Sequence, residues 1–149
     1  MKEIQDLSVN DLMTKQFEYV GPNSIMTEVA EIFDSFNFHH LPVLDREHRP
    51  LGVISRHDYY QLQHHFTHFG WKNPESNNRS FFKTLLAQEV MSEVPISLPT
   101  GEGVEKALDI FLENKVHSIL IISEEKCVGV LTPFDILKAL RLTSFSRSE

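Results

Sequence analysis

The chain has 149 residues, 41% of them hydrophobic, a formal net charge of −7 and a single cysteine, Cys127. That length allows one compact domain or two half-domains sharing a core, and the acidic balance argues against a binder of duplex nucleic acid or anionic membrane. No apolar stretch approaches the roughly 18 residues of a membrane span, Met1-Lys2-Glu3-Ile4-Gln5-Asp6 carries no signal region, and no internal disulfide is possible, so a cytoplasmic protein without membrane insertion is expected.

In chain order, Ser8-Val9-Asn10-Asp11 starts a short helix, and Ser8 with Asp11 has capping-box character. Leu12-Met13-Thr14 follows. Over residues 27–36, Val29, Ile32, Phe33 and Phe36 stand at i, i+3, i+4 and i+7, which predicts a helix with one apolar face. Asn23-Ser24 offer capping side chains just upstream. The runs Leu41 to Leu44 and Leu51 to Ile54, joined by the polar turn Asp45-Arg46-Glu47-His48-Arg49, predict two short buried strands. Gly52-Val53-Ile54-Ser55-Arg56-His57-Asp58 then opens a second helix, which residues 59–69 extend. Gly70 to Asn78 is turn-rich and reads as an exposed loop. Phe81 to Val90 reads as helix.

The rest of the chain says the same again. Val90-Met91-Ser92 matches Leu12-Met13-Thr14 at an offset of 78 residues. Val104, Ala107, Leu108 and Phe111 repeat the helical face, with Thr100 upstream as a cap. Ile119 to Ile122 and Val128 to Leu131 repeat the strands around Ser123-Glu124-Glu125-Lys126. Gly129-Val130-Leu131-Thr132-Pro133-Phe134-Asp135 repeats the phrase at an offset of 77. The tail, Thr143 to Glu149, reads as disordered. Two units in one order, with one short gap, imply a pseudo-symmetric pair of α/β (α+β) repeats, each strand, helix, strand, strand, helix.

These residues resemble the cystathionine-β-synthase (CBS) domain family in its tandem-pair, stand-alone form. The resemblance rests on Leu12-Met13-Thr14, His39-His40-Leu41-Pro42-Val43 and the two Gly-x-x-Ser/Thr-x-x-Asp phrases. It implies one module over residues 1–149. Repeat 1 spans residues 9–62, an insert residues 63–86 and repeat 2 residues 87–142. The two β-α-β-β-α repeats are expected to pack through their small sheets, leaving two clefts that take AMP, ADP, ATP or S-adenosylmethionine. A regulatory sensor is implied that is a homodimer, requires no cofactor and acts on an unidentified regulated protein.

The resemblance also names site residues. One cleft combines Ser24, Val29, Phe38 and His39 with Ser118, Val130, Thr132, Phe134 and Asp135. The other combines His40, Val53, Ser55, His57 and Asp58 with Glu102, Ala107, Val116 and His117. The physical chemistry is suitable. A helix start offers unpaired N–H groups and partial positive charge to an anion. Asp58 and Asp135 are acceptors for two vicinal ribose hydroxyls. Ser55 and Thr132 add hydroxyls, and Gly52 and Gly129 allow close backbone approach. Arg56, with Lys115 and the histidines, supplies charge for a phosphate. That supply suits AMP or ADP, or a neutral or cationic adenosyl ligand, better than a triphosphate. The same Ser/Thr-x-x-Asp patterns are also ordinary capping boxes. Glu102 and the bulky Phe38 and Phe134 set the two clefts apart, and the first is slightly preferred.

His64 and His68 stand at i, i+4 beside His65, a spacing one helix face can offer to a metal. A packing stripe with Phe66, Phe69 and Trp71 is the plainer expectation. Cys127 reads as a buried inert thiol. No nucleophile elbow, phosphate loop or zinc-hydrolase helix occurs, so no enzymatic activity is expected. The alternative to a nucleotide sensor is a ligand-free interaction and dimerisation module.

Overall fold

The computed structural model describes residues 3–64, 74–93 and 95–145. After a 3-10 turn at Ile4–Asp6 come α1 (Val9–Leu12), α2 (Met26–Ser35), β1 (His40–Leu44), β2 (Pro50–Ser55), α3 (Arg56–Gln63), α4 (Pro74–Thr84) and α5 (Ala87–Val90). Then follow β3 (Ser92–Glu93), β4 (Ser97–Pro99), α6 (Val104–Leu112), β5 (Ile119–Ser123), β6 (Lys126–Leu131) and α7 (Pro133–Phe145). The expected strands and the two apolar-faced helices are present within one or two residues of their expected bounds.

The chain divides into two compact units. The central unit is Glu18–Val94; the terminal unit joins Met1–Phe17 to Pro95–Glu149. Each holds a three-stranded sheet. In the central unit β1 runs antiparallel to β2, with Val43 opposite Gly52, and β2 antiparallel to β3, with Val53 opposite Ser92. Val20 adds a parallel bridge to Val43. In the terminal unit β4 runs parallel to β5, with Leu98 opposite Ile121, and β5 antiparallel to β6. Thr14 adds an antiparallel bridge to Val130.

Those bridges expose an exchange. Offset by 78, Thr14 is the counterpart of Ser92, yet Thr14 pairs with the strand of the second repeat and Ser92 with that of the first. The lead-in segments follow suit. Ser8 bridges Gly103 and Leu86 bridges Ile25. Val9 N–H donates to the Glu102 carbonyl (2.8 Å) and Val104 N–H to that of Leu7 (3.1 Å). In the other unit Met26 N–H donates to the Leu85 carbonyl and Ala87 N–H to that of Ser24, both at 2.8 Å. Each repeat's opening segment therefore belongs to the unit built on the other repeat's strands.

The exchange corrects the expected caps. The N-caps of α2 and α6 are Ile25 and Gly103, without side-chain caps. Carbonyls of the partner segment satisfy the first N–H of each helix instead. The Ser24 hydroxyl accepts from Gly21 N–H (3.2 Å). The segment read as loop is helical from Pro74, which takes the first helical position, where its missing N–H costs nothing. Phe81 to Val90 is not one helix. Leu86 is extended (φ −93°, ψ 150°) because it pairs with Ile25. The tail is helical through Phe145. Residues 65–73, with His65, Phe66, His68, Phe69 and Trp71, lie outside the described residues.

Each unit closes its own core. In the central unit Met26, Val29 and Phe33 of α2 pack with Leu41, Val43, Ile54, Tyr59 and Phe82. Phe33 stacks on Tyr59 at 5.4 Å between centroids. The Tyr59 hydroxyl donates to Asp34 (3.1 Å). Burial, then that carboxylate, pushes its pKa up to about 12. The terminal core is aliphatic where that one is aromatic: Val9, Val104, Ala107, Ile119, Ile121, Leu131 and Ile136.

Candidate functional site

In the central unit β2 hands over to α3 at Ser55, which is extended (φ −87°, ψ 154°) and caps the helix. Asp58 N–H donates to Ser55 Oγ (3.0 Å), and Ser55 N–H donates to Asp58 Oδ2 (3.1 Å). This is a reciprocal capping box. Asp58 is half-buried, and its Oδ1 has no hydrogen-bond partner among the described residues. Arg56 and His57 occupy the first helical positions. Arg56 Nε donates to the Phe38 carbonyl (2.8 Å) and Nη2 to that of Phe36 (2.6 Å). Its guanidinium lies 5.2 Å from the Phe33 ring centroid and 6.0 Å from that of Tyr60. Arg56 thus fixes the chain from Phe36 to His39 against α3. A cavity of about 420 Å³ opens there, lined by Asn37, His39, Arg56, His57 and Tyr60. The structure gathers three of the expected site residues, His39, Arg56 and His57, around one space.

The matching turn in the terminal unit is tighter. Thr132 N–H and Oγ1 both donate to Asp135 Oδ2, at 2.9 and 3.0 Å. Thr14 Oγ1 donates to Asp135 Oδ1 (3.2 Å), and Lys138 Nζ lies 3.7 Å from the same oxygen. Asp135 is 6% exposed, the one charged residue among the described residues that is buried. A carboxylate at that depth needs these partners. Thr14, Met13 and Met91 escaped the sequence-based site. The signal was present in the repeated triplets Leu12-Met13-Thr14 and Val90-Met91-Ser92, whose counterpart lies in the other repeat.

The two methionines explain the two glycines. A Cβ at Gly129 would collide with the Met13 side chain, 2.7 Å from its Cγ. One at Gly52 would sit 2.6 Å from both Met91 Sδ and the Ser92 carbonyl oxygen. The space that a side chain at either glycine would take is therefore filled by the exchanged segments.

The other expected site residues are spread through both units. Val29 is fully buried in the central core. Phe38 stacks on Phe36 (5.9 Å). His40 opens β1 opposite Ser55, and Val53 lies between Pro42 and Ser92. Val116, His117 and Ser118 form the connection into β5, with His117 exposed. Val130 pairs with Leu120 and exchanges two backbone hydrogen bonds with Thr14 (2.9 and 3.0 Å). Phe134 is 65% exposed, with Lys138 Nζ 5.2 Å from its ring centroid. Ala107 is buried in the terminal core, and Glu102 is half-buried. Lys115 lies beside Glu113 at 3.7 Å, both exposed.

Among the described residues no group of three His, Cys, Asp or Glu is placed to hold a metal. His64 caps the C-terminus of α3; His65 and His68 lie outside the described residues. No helix of the described residues is long and apolar enough to cross a membrane. Burial pushes the Cys127 thiol up to about 11, which leaves it protonated and inert near neutrality.

A family model for the CBS domain matches residues 9–64 and 87–142. The chain is 27% identical over 141 residues to the uncharacterized protein MJ1232 of Methanocaldococcus jannaschii, covering 94% of this chain and 42% of that one. It is 21% identical over 150 residues to an inosine-5'-monophosphate dehydrogenase of the same organism, of which it covers 26%. The chain thus spans less than half the length of these curated relatives. Among solved structures, CBSX2 in complex with AMP has a TM-score of 0.74 at 21% identity, covering 91% of this chain and 97% of that one. The CBS domain pair of MJ0100, in complex with 5'-methylthioadenosine and S-adenosyl-L-methionine, has a TM-score of 0.67 at 20% identity, covering 90% and 99%. These likenesses are of fold.

Proposed function

The chain belongs to the CBS domain family, and from that premise we propose that it is a regulatory module, not a catalyst, that binds an adenosine-containing small molecule. The observation that carries this is the doubled phrase: each copy folds into a strand-to-helix turn with its carboxylate in the first helical turn. A carboxylate there accepts hydrogen bonds from both vicinal hydroxyls of a ribose. In the central unit a cavity lined in part by Arg56, His39 and His57 offers these side chains to a phosphate. Two of the Arg56 nitrogens already hold backbone carbonyls. That favours one phosphate over three, and AMP is the ligand we assign first. The complexes of CBSX2 with AMP and of MJ0100 with S-adenosyl-L-methionine support an adenosine ligand. Ligand binding then shifts assembly or partner docking by no more than its differential affinity for the two states.

The test is calorimetric titration of nucleotide-free protein with AMP, ADP, ATP and S-adenosylmethionine. Saturable micromolar binding of one is expected; no heat from any of them would sink the proposal.

A second reading, homodimerisation or partner docking, is favoured by α7. Phe134 and Leu137 are 65% and 61% exposed on one face of that helix. Large apolar side chains gathered on a surface mark contact sites. Light scattering of Leu137→Glu against the unaltered chain decides it: a dimer that becomes a monomer supports the contact, and unchanged mass removes it.

A further inference from the structure

We infer that the cavity of the central unit is an oxyanion site whose affinity is set by proton uptake on His39 and His57. For AMP this rests on the nucleotide reading, whose phosphate end it specifies; a free phosphate needs no adenosine to be held there.

The lining sets the charge preference. Asn37, His39, Arg56, His57 and Tyr60 surround about 420 Å³. Each can donate a hydrogen bond from its side chain and none is a carboxylate, in a chain whose net charge is −7. The family resemblance assigns His39 to one cleft and His57 to the other, and each of those clefts draws on both repeats. Here the two histidines line one space built wholly within the central unit. Arg56 gives that space a permanent charge in a fixed place. Its Nε and Nη2 hold the carbonyls of Phe38 and Phe36 (2.8 and 2.6 Å), and its Nη1 has no hydrogen-bond partner among the described residues. The terminal unit lacks this set. At the offsets of 78 and 77 residues the counterparts are Lys115, His117, Pro133, Phe134 and Leu137. The donors of Arg56, His57 and Tyr60 are gone there, and Lys115 lies beside Glu113 (3.7 Å). One such site per chain follows.

Two of the three cationic groups are conditional. Histidine changes charge between about pH 5 and 8. A bound dianion favours the imidazolium form, by attraction and because each protonated ring nitrogen becomes a donor. Binding therefore takes up protons, and by linkage affinity rises as pH falls. The carboxylates on the neighbouring elements do not line the cavity. These are Glu31 and Asp34 on α2 and Asp58 on α3; Asp34 accepts from the Tyr59 hydroxyl and Asp58 from Ser55 N–H, both at 3.1 Å. His40 opens β1 next to His39 and is not among the lining residues either. His39 and His57 are themselves exposed, so a neutral side chain at either position disturbs no core.

The experiment uses the full chain, unaltered and as the double variant His39→Gln with His57→Gln, and two probes, sulfate and AMP. Sulfate stays doubly charged across the pH window, whereas a phosphate ester takes up a proton of its own near about pH 6. NMR of the histidine ring protons follows sulfate, and calorimetry follows AMP with and without sulfate. Sulfate is expected to bind the unaltered chain about tenfold more tightly at about pH 6 than at about pH 8. In the double variant that ratio should fall below about twofold. Sulfate should also weaken AMP by competition. A pH-independent sulfate affinity in the unaltered chain overturns the proposal, as does a pH dependence that the double variant retains. AMP that binds while sulfate neither moves the ring signals nor competes overturns the oxyanion site and leaves the nucleotide reading standing. Sulfate that binds with the expected pH dependence to a chain that takes no AMP upholds the site, overturns the nucleotide reading and assigns the oxyanion to free phosphate.

Discussion

The central and terminal units share a sequence plan, a strand order and an exchanged lead-in segment, yet they are finished differently. The central unit has Phe33, Tyr59 and Phe82 in its core, a capping carboxylate with one oxygen unpartnered among the described residues, and a cavity lined by Asn37, His39, Arg56, His57 and Tyr60. The terminal unit has an aliphatic core and a buried carboxylate whose oxygens are bonded to its own chain. The matching positions differ between the two turns: Arg56 and His57 stand against Pro133 and Phe134, and Ser92 against Thr14.

The glycines give the largest effects by which to probe this contrast. At Gly52 an added Cβ meets the Ser92 carbonyl oxygen as well as Met91, and backbone cannot swing aside. Gly52→Ala is expected to cost about 3 kcal/mol, near the upper end of overpacking penalties. At Gly129 every close atom belongs to the flexible Met13 side chain. Gly129→Ala should cost about 1.5 kcal/mol, and Met13→Ala should recover much of that in a double-mutant cycle. Denaturant melts measure both. Equal costs would erase the difference in how the two lead-in segments are held.

The carboxylates come next. Asp135→Ala strands the Thr132 N–H and the hydroxyls of Thr132 and Thr14, so a loss of about 2 to 3 kcal/mol is expected. Asp58→Ala removes one N–H acceptor at a partly solvated helix start and should cost about 1 kcal/mol. If thermal melts rank them in the reverse order, the extra hydrogen bonds of Asp135 add nothing to stability.

Much of this was legible in advance because it is local. Alternation and helical spacing found the strands and both apolar-faced helices, and the doubled phrase found both capping carboxylates. What escaped depends on pairing across distance. Asn23-Ser24 and Thr100 looked like caps because a cap is a local pattern; the actual partners of those helix starts are the carbonyls of Leu85 and Leu7. Leu12-Met13-Thr14 was visible as a repeat, but nothing in its spacing says that its methionine fills the space over a glycine more than 100 residues away. Pro74-Glu75-Ser76-Asn77-Asn78 has turn composition. It becomes helix in a segment whose far end, at Phe82, is buried in the core.

The hairpins β1–β2 and β5–β6 differ in how they close. In the central unit Asp45 Oδ1 accepts from the N–H groups of Glu47 and Arg49, both at 2.9 Å, while Oδ2 accepts from Arg49 Nε (2.8 Å). In the terminal unit the turn rests on Glu124 and Glu125, both left-handed at φ 50° and 67°. That conformation suits asparagine and glycine, and it costs about 1 kcal/mol or more per ordinary residue. Glu124→Asn with Glu125→Gly should therefore add about 1 kcal/mol in a thermal melt. The pH dependence separates the hairpins again. Arg49, through its backbone N–H first and then its guanidinium, holds the Asp45 carboxyl below the usual aspartate value of 3.8. A depressed acid contributes stability above its unfolded pKa and loses it as pH falls through the folded one. NMR titration should place the Asp45 midpoint below 3.8; a midpoint at or above it would deny the hydrogen bonds their effect.

Cys127 supplies the smallest and most selective test, because it reports on the terminal unit. Its side chain is buried in β6, with Sγ 3.5 Å from the Gly129 carbonyl oxygen. Burial raises its pKa from the usual 9.0 to about 11. An acid with a raised folded pKa contributes stability below its unfolded pKa and loses it as pH climbs through the folded one. The native thiol should therefore resist a disulfide reagent at pH 8 and react at once in denaturant. Its labelling rate then measures opening of the strand that carries Gly129. It should rise several-fold in Gly129→Ala, where Met13 is pushed from its seat, because a lower local opening free energy exposes the thiol more often. A labelling rate that Gly129→Ala leaves unchanged would mean that β6 stays closed without Met13, and that the segment over residues 7–14 rests on the terminal unit without helping to hold it shut.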